Sequence, residues 1–457
     1  MEQQTDYLNL AFEAWCAGSD LRKRRERFKR YTYGRQWSDP VVGADGRMME
    51  EGEAAALSGR QPMTNNMIRQ LVKCVIGNFR NTMPERDRSE VDRVTAERNS
   101  LTELDCRMLE EFLISGCAIQ RVVSERRMGG SGVWIDNVSP DNFFVNRFTD
   151  PRGSDIELTG MLHSMSLREV LIRFGSTPAM VEEIRRAYAQ AEGSCRHEGT
   201  FFEAPDRRCR VIELWTLESR SILKCHDPER GRYFVAPASE SAGLTAINRR
   251  RKAEQRQEIR TVARTTMRWH CRYLTPSGHV LQEFDSPYRH GGHPFAVKFY
   301  PLTDGEVHSF VEDIIDQQRN VNRLITMIDH VMGVSAKGVL LFPIDQKPET
   351  MSWAEIARRW ASCDGIIPYQ RGFSDGEPKQ IISAGEQSGA YNLLALQMKL
   401  FEQISGVSGA LQGQLPGGNP SAAMYDAQMR NSSVAILDLL DSFNAFRRQR
   451  DALVRRV

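Results

Sequence analysis

The chain has 457 residues, of which 40% are hydrophobic and 26% are charged, so it can form about three globular domains. A formal charge of only +2 excludes a protein that is basic throughout, as many nucleic-acid-binding proteins are. Nine cysteines form no CxxC pair, which predicts reduced thiols. The acidic start predicts no signal peptide, and no apolar stretch is long enough to predict a membrane-spanning helix.

Helical periodicity dominates the first part of the chain. Apolar spacing predicts helices over residues 6–31, 67–79 and 90–117, the second of them capped by Thr64, Asn65 and Asn66. The first helix ends in a basic run over residues 21–30, and a second basic run covers residues 248–252. Such runs are typical of solvated helix faces, and a patch that binds a partner is the alternative.

The middle of the chain changes to a period of two. Residues 120–124 and 132–136 flank two glycines and predict a β-hairpin, and β character continues over residues 138–145. Further strands are predicted over residues 210–216, 232–235 and 267–273, with a charged helix over about 244–261 between the last two. A loop over residues 286–295 precedes another short strand.

The longest periodic segment runs from Asp304 to Gly333 and predicts one helix about 40 Å long. A helix of this kind packs in a large core or aligns with copies of itself from other subunits. A compact insert with strands and a short helix at 353–360 follows, and then a second long helix over 386–405. A glycine-rich loop and a third helix, beginning at Asn419 and Pro420, complete the order.

No catalytic motif is present: the chain has no GxxxxGK[ST], GxSxG or HExxH sequence. His290 and His293 are two imidazoles without further ligands, so we expect neither a metal site nor a cofactor. The alternative hypothesis is a metal-dependent DNA-processing enzyme that uses the acidic cluster Glu312, Asp313 and Asp316, with Glu306 nearby. A solvated acidic flank explains the same residues more simply.

Two long helices joined by a compact insert predict a hairpin with a small knob at one end and the glycine-rich loop at the other. The side chains that this loop would offer for contact are uncharged: Gln412, Gln414, Leu415 and Asn419. Such a surface suits sliding along a polyanion, because tight binding would need many contacts from lysine or arginine to phosphates.

In this order of helices, insert and loop the chain resembles the portal proteins of tailed double-stranded DNA phages, in the branch typical of short-tailed phages. The resemblance rests on the order and spacing of several segments: 64–80, 293–306, 310–313, 317–319 with Asn322, and 404–409 with Gly413, Ser421, Gln428 and Asn431. It implies an α+β, mainly α fold and a structural protein rather than an enzyme.

The resemblance also implies a division of the chain. Residues 1–303 would form the wing, 304–334 the first stem helix, 335–385 the clip and 386–407 the second stem helix. The tunnel loop would cover 408–420, and residues 421–457 would form a long helix returning to the wing. The last helix is still amphipathic where the sequence stops, so we expect the crown of the family to be absent or truncated.

Family members form rings, which implies twelve copies of this chain around a channel for double-stranded DNA at one capsid vertex of the virion, assembled in the host cytoplasm. The terminase motor, a head-tail adaptor and a capsid or scaffolding protein would be partners, and a membrane would not. Glu312, Asp316, Arg319 and Arg323 would lie at stem contacts between subunits. Trp353, Arg358 and Arg359 of the clip would dock the motor or the tail.

Overall fold

The structure, a computed structural model, describes residues 2–43, 46–86, 91–127, 130–191, 200–337, 339–344, 347–361, 379–381, 388–407, 434 and 436–457. Its helices are α1 (Glu2–Ala17), α2 (Ser19–Thr32), α3 (Glu51–Leu57), α4 (Met67–Arg86), α5 (Arg93–Arg98), α6 (Leu101–Ser115), α7 (Leu167–Phe174), α8 (Pro178–Ala191), α9 (Ser241–Ala253), α10 (Phe310–Lys337), α11 (Trp353–Ala361), α12 (Ser388–Ser405) and α13 (Leu437–Val454).

The strands alternate with these helices along the chain, so the fold is α+β, as predicted. They are β1 (Pro40–Val42), β2 (Met48–Glu50), β3 (Cys117–Arg127), β4 (Gly130–Asn137), β5 (Phe143–Val145), β6 (Leu158–Met165), β7 (Cys209–Asp227), β8 (Arg232–Pro237), β9 (Arg260–Leu274), β10 (Val280–Asp285), β11 (Phe295–Phe299), β12 (Pro301–Thr303), β13 (Glu306–Val307), β14 (Val339–Leu341) and β15 (Lys379–Ile381).

The chain folds into two compact units, each assembled from separate stretches of sequence. The first unit contains residues 1–26, 76–309 and 437–457, and the second contains 27–75 and 310–436. The chain therefore passes between the units several times.

Two antiparallel sheets organise the first unit. The larger has the order β10-β9-β7-β6-β5 with β8 on the far part of β7, and the smaller has the order β11-β3-β4. Side chains from both sheets share one hydrophobic cluster, in which Phe143, Trp215 and Phe295 are buried. The predicted hairpin of β3 and β4 is confirmed, with Val122 opposite Ile135. Helix α13 packs on β3 and β11, and Phe443 reaches Phe79 and Phe112.

The second unit is built around the pair formed by α10 and α12, which pack against each other. The short pairs β1–β2 and β14–β15 and the helix α11 belong to the same unit. The predicted long helices are confirmed, but α10 begins at Phe310 rather than Asp304. Residues 301–307 instead pair as β12 and β13 across a turn at Gly305, where φ is +82°.

Two predicted helices are each divided in the structure. The helix predicted over 6–31 breaks at Gly18, where the Arg22 side chain donates to Trp15 O at 2.6 Å. This side chain takes over an end carbonyl of α1, which has no partner within the helix. The helix predicted over 90–117 breaks before α6, because Ser100 adopts a φ of +47°, and Cys117 already belongs to β3.

The prediction of one charged helix over 244–261 was wrong at its end. Helix α9 stops at Ala253, and β9 begins at Arg260. The Asn248 side chain binds both backbone groups of Ile259, accepting from its N–H at 2.8 Å and donating to its carbonyl at 2.9 Å. This clamp turns the chain back alongside α9, a contact that sequence periodicity does not encode.

Candidate functional site

Three buried polar residues interrupt the apolar stripe of α10 at four-residue intervals, and we call them the polar ladder: Gln318, Asn322 and Thr326. None of them is more than 3% exposed. They hold the backbone that leads into α4. Thr326 Oγ1 accepts from Met63 N–H at 3.0 Å, Asn322 Oδ1 from Asn65 N–H at 3.0 Å, and Gln318 Oε1 from Met67 N–H at 2.9 Å and Ile68 N–H at 3.2 Å.

The ladder satisfies groups that a helix cannot satisfy by itself. The first N–H groups of α4 have no acceptor within their own helix, so Gln318 supplies one from α10. Gln318 Nε2 also donates to Asn65 O at 2.7 Å. Buried side-chain amides are stable only with such partners, which fixes how α10 and the start of α4 meet.

A second layer of amides extends the ladder. Asn322 Nδ2 donates to Gln36 Oε1 at 2.6 Å, and Gln36 Nε2 donates to Tyr31 O at 2.8 Å. Asn66 donates to Thr32 O at 3.0 Å and caps α4 by accepting from Arg69 N–H at 3.0 Å. Two segments that carry the family resemblance, 64–80 and 317–322, are therefore joined here by hydrogen bonds.

Carboxylates that the sequence did not single out pair with arginines in the same unit. Arg319 reaches Glu51 at 3.2 Å, and Arg323 Nη2 reaches the other oxygen of Glu51 at 2.5 Å. Glu51 is only 8% exposed, so one buried carboxylate holds two predicted stem residues within their own chain. The remaining two predicted stem residues differ in exposure: Glu312 is half-buried and Asp316 is exposed.

Several arginines of the basic run over 21–30 form ion pairs with carboxylates of the same chain. Arg25 binds Glu111 at 2.6 Å and also binds Asp141. Separately, Arg27 binds Asp39 at 2.9 Å, and Asp39 accepts a hydrogen bond from Tyr31 at 2.9 Å. Burial raises the pKa of Asp39, but these hydrogen bonds outweigh it and hold the pKa below its ordinary value. The high density of arginine in this run was the feature of the sequence that could have indicated these ion pairs, because buried arginines require acidic partners.

The α10–α12 pair leaves apolar side chains exposed on both helices. On α10 they are Met327, Val331 and Met332, and on α12 they are Tyr391, Leu393, Leu396, Met398 and Ile404. Leu396 is 51% exposed and Met332 47%. Tyr391 donates to the sulfur of Met332 at 3.1 Å, so the two sets meet. Large exposed apolar side chains gathered on one helix pair are typical of a protein–protein contact.

The predicted clip residues lie on α11, which Ser352 caps by accepting from Glu355 N–H at 3.1 Å. Trp353 is 45% exposed and meets Phe342 edge to face, with 6.0 Å between ring centroids. Arg359 pairs with Glu355 at 3.1 Å, and Arg358 is exposed. A half-exposed tryptophan and an exposed arginine on one short helix are residue types that suit a docking surface.

The residues of the predicted tunnel loop, Gln412, Gln414, Leu415 and Asn419, lie outside the described residues, as does most of 421–436.

The histidines considered as metal ligands have other roles. Nδ1 of His290 accepts from Gly292 N–H at 2.9 Å, and Nδ1 of His293 accepts from Phe295 N–H at 3.2 Å. Among the described residues, no group of three or more histidine, cysteine or acidic side chains could hold a metal ion. Within the same residues, no helix combines the length and apolarity needed to cross a membrane.

Comparison with known proteins identifies one family. The model of the Phage P22-like portal protein family matches residues 9–450. No curated protein matches the chain. The matched region includes the polar ladder, the α10–α12 pair and α11, and it covers nearly the whole sequence. The chain belongs to the Phage P22-like portal protein family.

Proposed function

We propose that the chain is the subunit of a portal ring at one vertex of a phage capsid. Double-stranded DNA is packaged and ejected through the ring, which also docks the packaging motor and the tail. The family match over residues 9–450 supports this role. Ring closure repeats one contact between unlike surfaces of neighbouring copies. We propose twelve copies and assembly in the host cytoplasm.

The observation that carries the proposal is the exposed apolar surface of the α10–α12 pair. Leu393 and Leu396 are each more than 40% exposed in a single chain, on a helix that packs against α10. Neighbouring subunits would cover these side chains in a ring. Burying them would contribute free energy of association at about 25 cal/mol for each Å² removed from water.

We propose the following parts for the described elements. Helices α10 and α12 form the stem, within the expected ranges 304–334 and 386–407, and α11 with β14 and β15 belongs to a clip over 335–385. Residues 1–303 form the wing, to which the helix within 421–457 returns. The tunnel loop at 408–420 contacts DNA without sequence preference.

Site residues follow from this division. Glu312 and Asp316 lie at stem contacts, while Arg319 and Arg323 shape the same face through Glu51. In the clip, Trp353, Arg358 and Arg359 dock the terminase motor or a head-tail adaptor. Capsid or scaffolding protein binds elsewhere on the ring. No observation on the described residues favours the alternative of a metal-dependent enzyme, since Glu312, Asp313 and Asp316 belong to no three-ligand group there.

The test is electron microscopy of the purified chain with light scattering for its mass. Rings with a central hole are expected, and the symmetry can be counted directly. A Leu393→Ser, Leu396→Ser variant should assemble much less, because the neighbour would then bury hydroxyls in place of apolar side chains. Asn392→Ser changes an exposed polar residue on the same helix and serves as the control. Wild-type protein that stays monomeric at high concentration in all salt conditions would refute the proposal.

A further inference from the structure

The first unit extends a three-stranded arm beyond its main sheet. β6 pairs with β7 only as far as Thr216, but β7 continues to Asp227. Along this extension β8 pairs on one side and β9 on the other. We call this part the arm: residues 222–227, 232–237 and 260–264, with α9. Leu244 of α9 packs on one face of the arm with Leu223, Cys225 and Ala236.

The other face of the arm is open. Strand pairing places the following residues together on it: Ile222, Lys224, His226, Tyr233, Val235, Pro237, Arg260, Val262 and Arg264. Tyr233 is 78% exposed, Val235 61% and Val262 54%. Several of these side chains line a shallow groove of about 560 Å³. Large apolar side chains with this exposure on one sheet face mark a contact surface.

All the fixed charges on the open face are positive. None of its positions carries a carboxylate, and Lys224, Arg260 and Arg264 form no ion pair within the described part of the chain. Residues 218–268 hold twelve lysines and arginines but six acidic residues, against a net charge of only +2 for the whole chain. In contrast, Arg251 of α9 lies on the covered side and is neutralised by Asp227 at 2.8 Å. An acidic partner with some apolar surface would match the open face.

Helix α1, in the same unit, offers that chemistry. Its sequence contains Glu2, Asp6 and Glu13 but no lysine or arginine. Helical spacing places Asp6, Leu10, Glu13 and Cys16 on one face, and all four are exposed, Leu10 at 41%. The opposite face of α1 is occupied, since Ala11 packs with Phe144 and Phe201.

We propose that the open face of the arm binds α1 of a neighbouring copy of this chain. The inference rests on the proposed ring, in which two different surfaces of one chain meet around a closed circle. The sizes agree: the six residues of β8 span about 20 Å and the sixteen of α1 about 24 Å. A second copy also fits better than DNA, because the exposed Val235 and Val262 gain nothing from phosphates.

The native thiol of Cys16 makes a direct test possible. In a Val262→Cys variant, mild oxidation of assembled rings should form a disulfide between the new thiol at position 262 of one copy and Cys16 of the next. Non-reducing gels should then show dimers and a ladder of larger cross-linked species. Adding Cys16→Ser should abolish the ladder. Ala246→Cys, an exposed position on α9 at the covered side of the arm, should give no ladder. Mixing a tagged Val262→Cys, Cys16→Ser chain with an untagged wild-type chain should give a heterodimer, which shows that the link joins different copies.

Charge reversal tests the energetics independently. Lys224→Glu with Arg264→Glu should weaken ring formation about tenfold at low salt, because like charges then face each other. Asp6→Lys with Glu13→Lys in the same chain should restore assembly. The matched control Arg249→Glu with Lys252→Glu makes the same change in net charge on α9 and should leave assembly unchanged.

The outcomes separate this inference from the function on which it rests. Wild-type rings that give no Cys16 link, with the arm variants behaving like the α9 control, overturn the inference and leave the portal role intact. Arm variants that form normal rings but no longer bind DNA or another virion protein also overturn the inference. In that case the open face would bind that partner instead of a second copy. A wild-type chain that never forms rings refutes both.

Discussion

Arg450 Nη1 donates to Asp105 Oδ1 at 2.5 Å, and both side chains are completely buried. The two residues lie 345 positions apart, on α13 and α6. Arg447 binds the other oxygen of Asp105 at 2.8 Å, and Arg450 also binds Asp451 at 2.7 Å. Burial lowers the pKa of Arg450, but these carboxylates outweigh it and raise the pKa above its ordinary value. Helix α13 is therefore attached to the rest of the first unit by a buried ionic cluster.

We expect Arg450→Met to lower the free energy of unfolding by about 3–5 kcal/mol, because Asp105 would keep its buried charge with one partner fewer. Urea denaturation measures the loss, and amide hydrogen exchange should place it in α6 and α13. Arg448→Met is the matched control, since Arg448 is exposed on the same helix. Equal stability of the two variants would contradict a dominant role for the buried cluster.

The polar ladder gives a second prediction. Gln318→Met keeps the size of the side chain but removes the acceptor for Met67 and Ile68 and the donor to Asn65. Met67 N–H and Asn65 O still pair with each other at 2.9 Å, so the buried Ile68 N–H is the group left without its acceptor, at a cost of about 1–3 kcal/mol. Thermal unfolding of Gln318→Met against Asn320→Met, an exposed position on α10, measures the difference. If both variants unfold at the wild-type temperature, the ladder is not what holds residues 63–68.

Glu213 gives the protein a predictable response to acid. The side chain is fully buried between Arg121 at 3.0 Å and His163 at 2.7 Å, and it accepts from Trp215 Nε1 at 2.8 Å. Burial raises the pKa of Glu213, yet Arg121 and the hydrogen bonds outweigh burial and hold this pKa well below its ordinary value. Since the folded pKa is the lower one, this stabilisation is complete above about pH 4.5 and is lost as the pH falls further.

We therefore expect Glu213→Gln to destabilise the chain by about 3–5 kcal/mol at neutral pH, where Arg121 would lose its buried counter-charge. The same variant should lose less stability than wild type between about pH 5 and pH 3. Melting temperatures across this range decide the matter, with the exposed Glu182→Gln as the control. Parallel acid profiles for wild type and Glu213→Gln would show that other carboxylates set the response.

Gly116 lies where two backbone segments approach each other closely. It follows α6 with φ at +72°, and an added Cβ would lie 2.8 Å from Val307 Cγ1 and 3.2 Å from Tyr300 O. Gly116→Ala should therefore cost about 2 kcal/mol through strain and collision. Gly77→Ala on α4 meets nothing within 4 Å and should gain about 0.5–1 kcal/mol. Scanning fluorimetry compares them, and a neutral Gly116→Ala would refute the close approach.

Sequence periodicity predicted the helices and strands that bury one face, because their apolar residues recur at regular spacing. The apolar stripe of α10, the hairpin of β3 and β4 and the course of α12 all follow from local spacing. The same reasoning missed the polar ladder, because nothing local shows that a glutamine will meet the backbone of residues 65–68. The breaks at Gly18 and after Ala253 also depend on contacts, Arg22 to Trp15 and Asn248 to Ile259.

The candidate site was predictable to a similar degree. The exposed apolar residues of the helix pair lie in helices that the sequence predicted. Contacts of Arg319 and Arg323 between subunits stay a prediction, because both side chains pair with Glu51 of their own chain in the structure. Their shared partner Glu51 lies more than 260 positions earlier in the chain, between the helices predicted over 6–31 and 67–79. The strand order β10-β9-β7-β6-β5, which creates the arm, likewise depends on pairings between distant segments.

The interleaving of the two units has a consequence during synthesis. Residues 27–75 cannot complete their packing until α10 has been synthesised, and α6 cannot until α13 has been. Neither unit can therefore finish folding while its later segments are still inside the ribosome. A chain released early, before α13, would leave Asp105 without its arginines and apolar surface of the first unit uncovered. We therefore expect such a chain to be degraded faster in cells than the full chain, because unfolded or incomplete proteins are exposed to proteases.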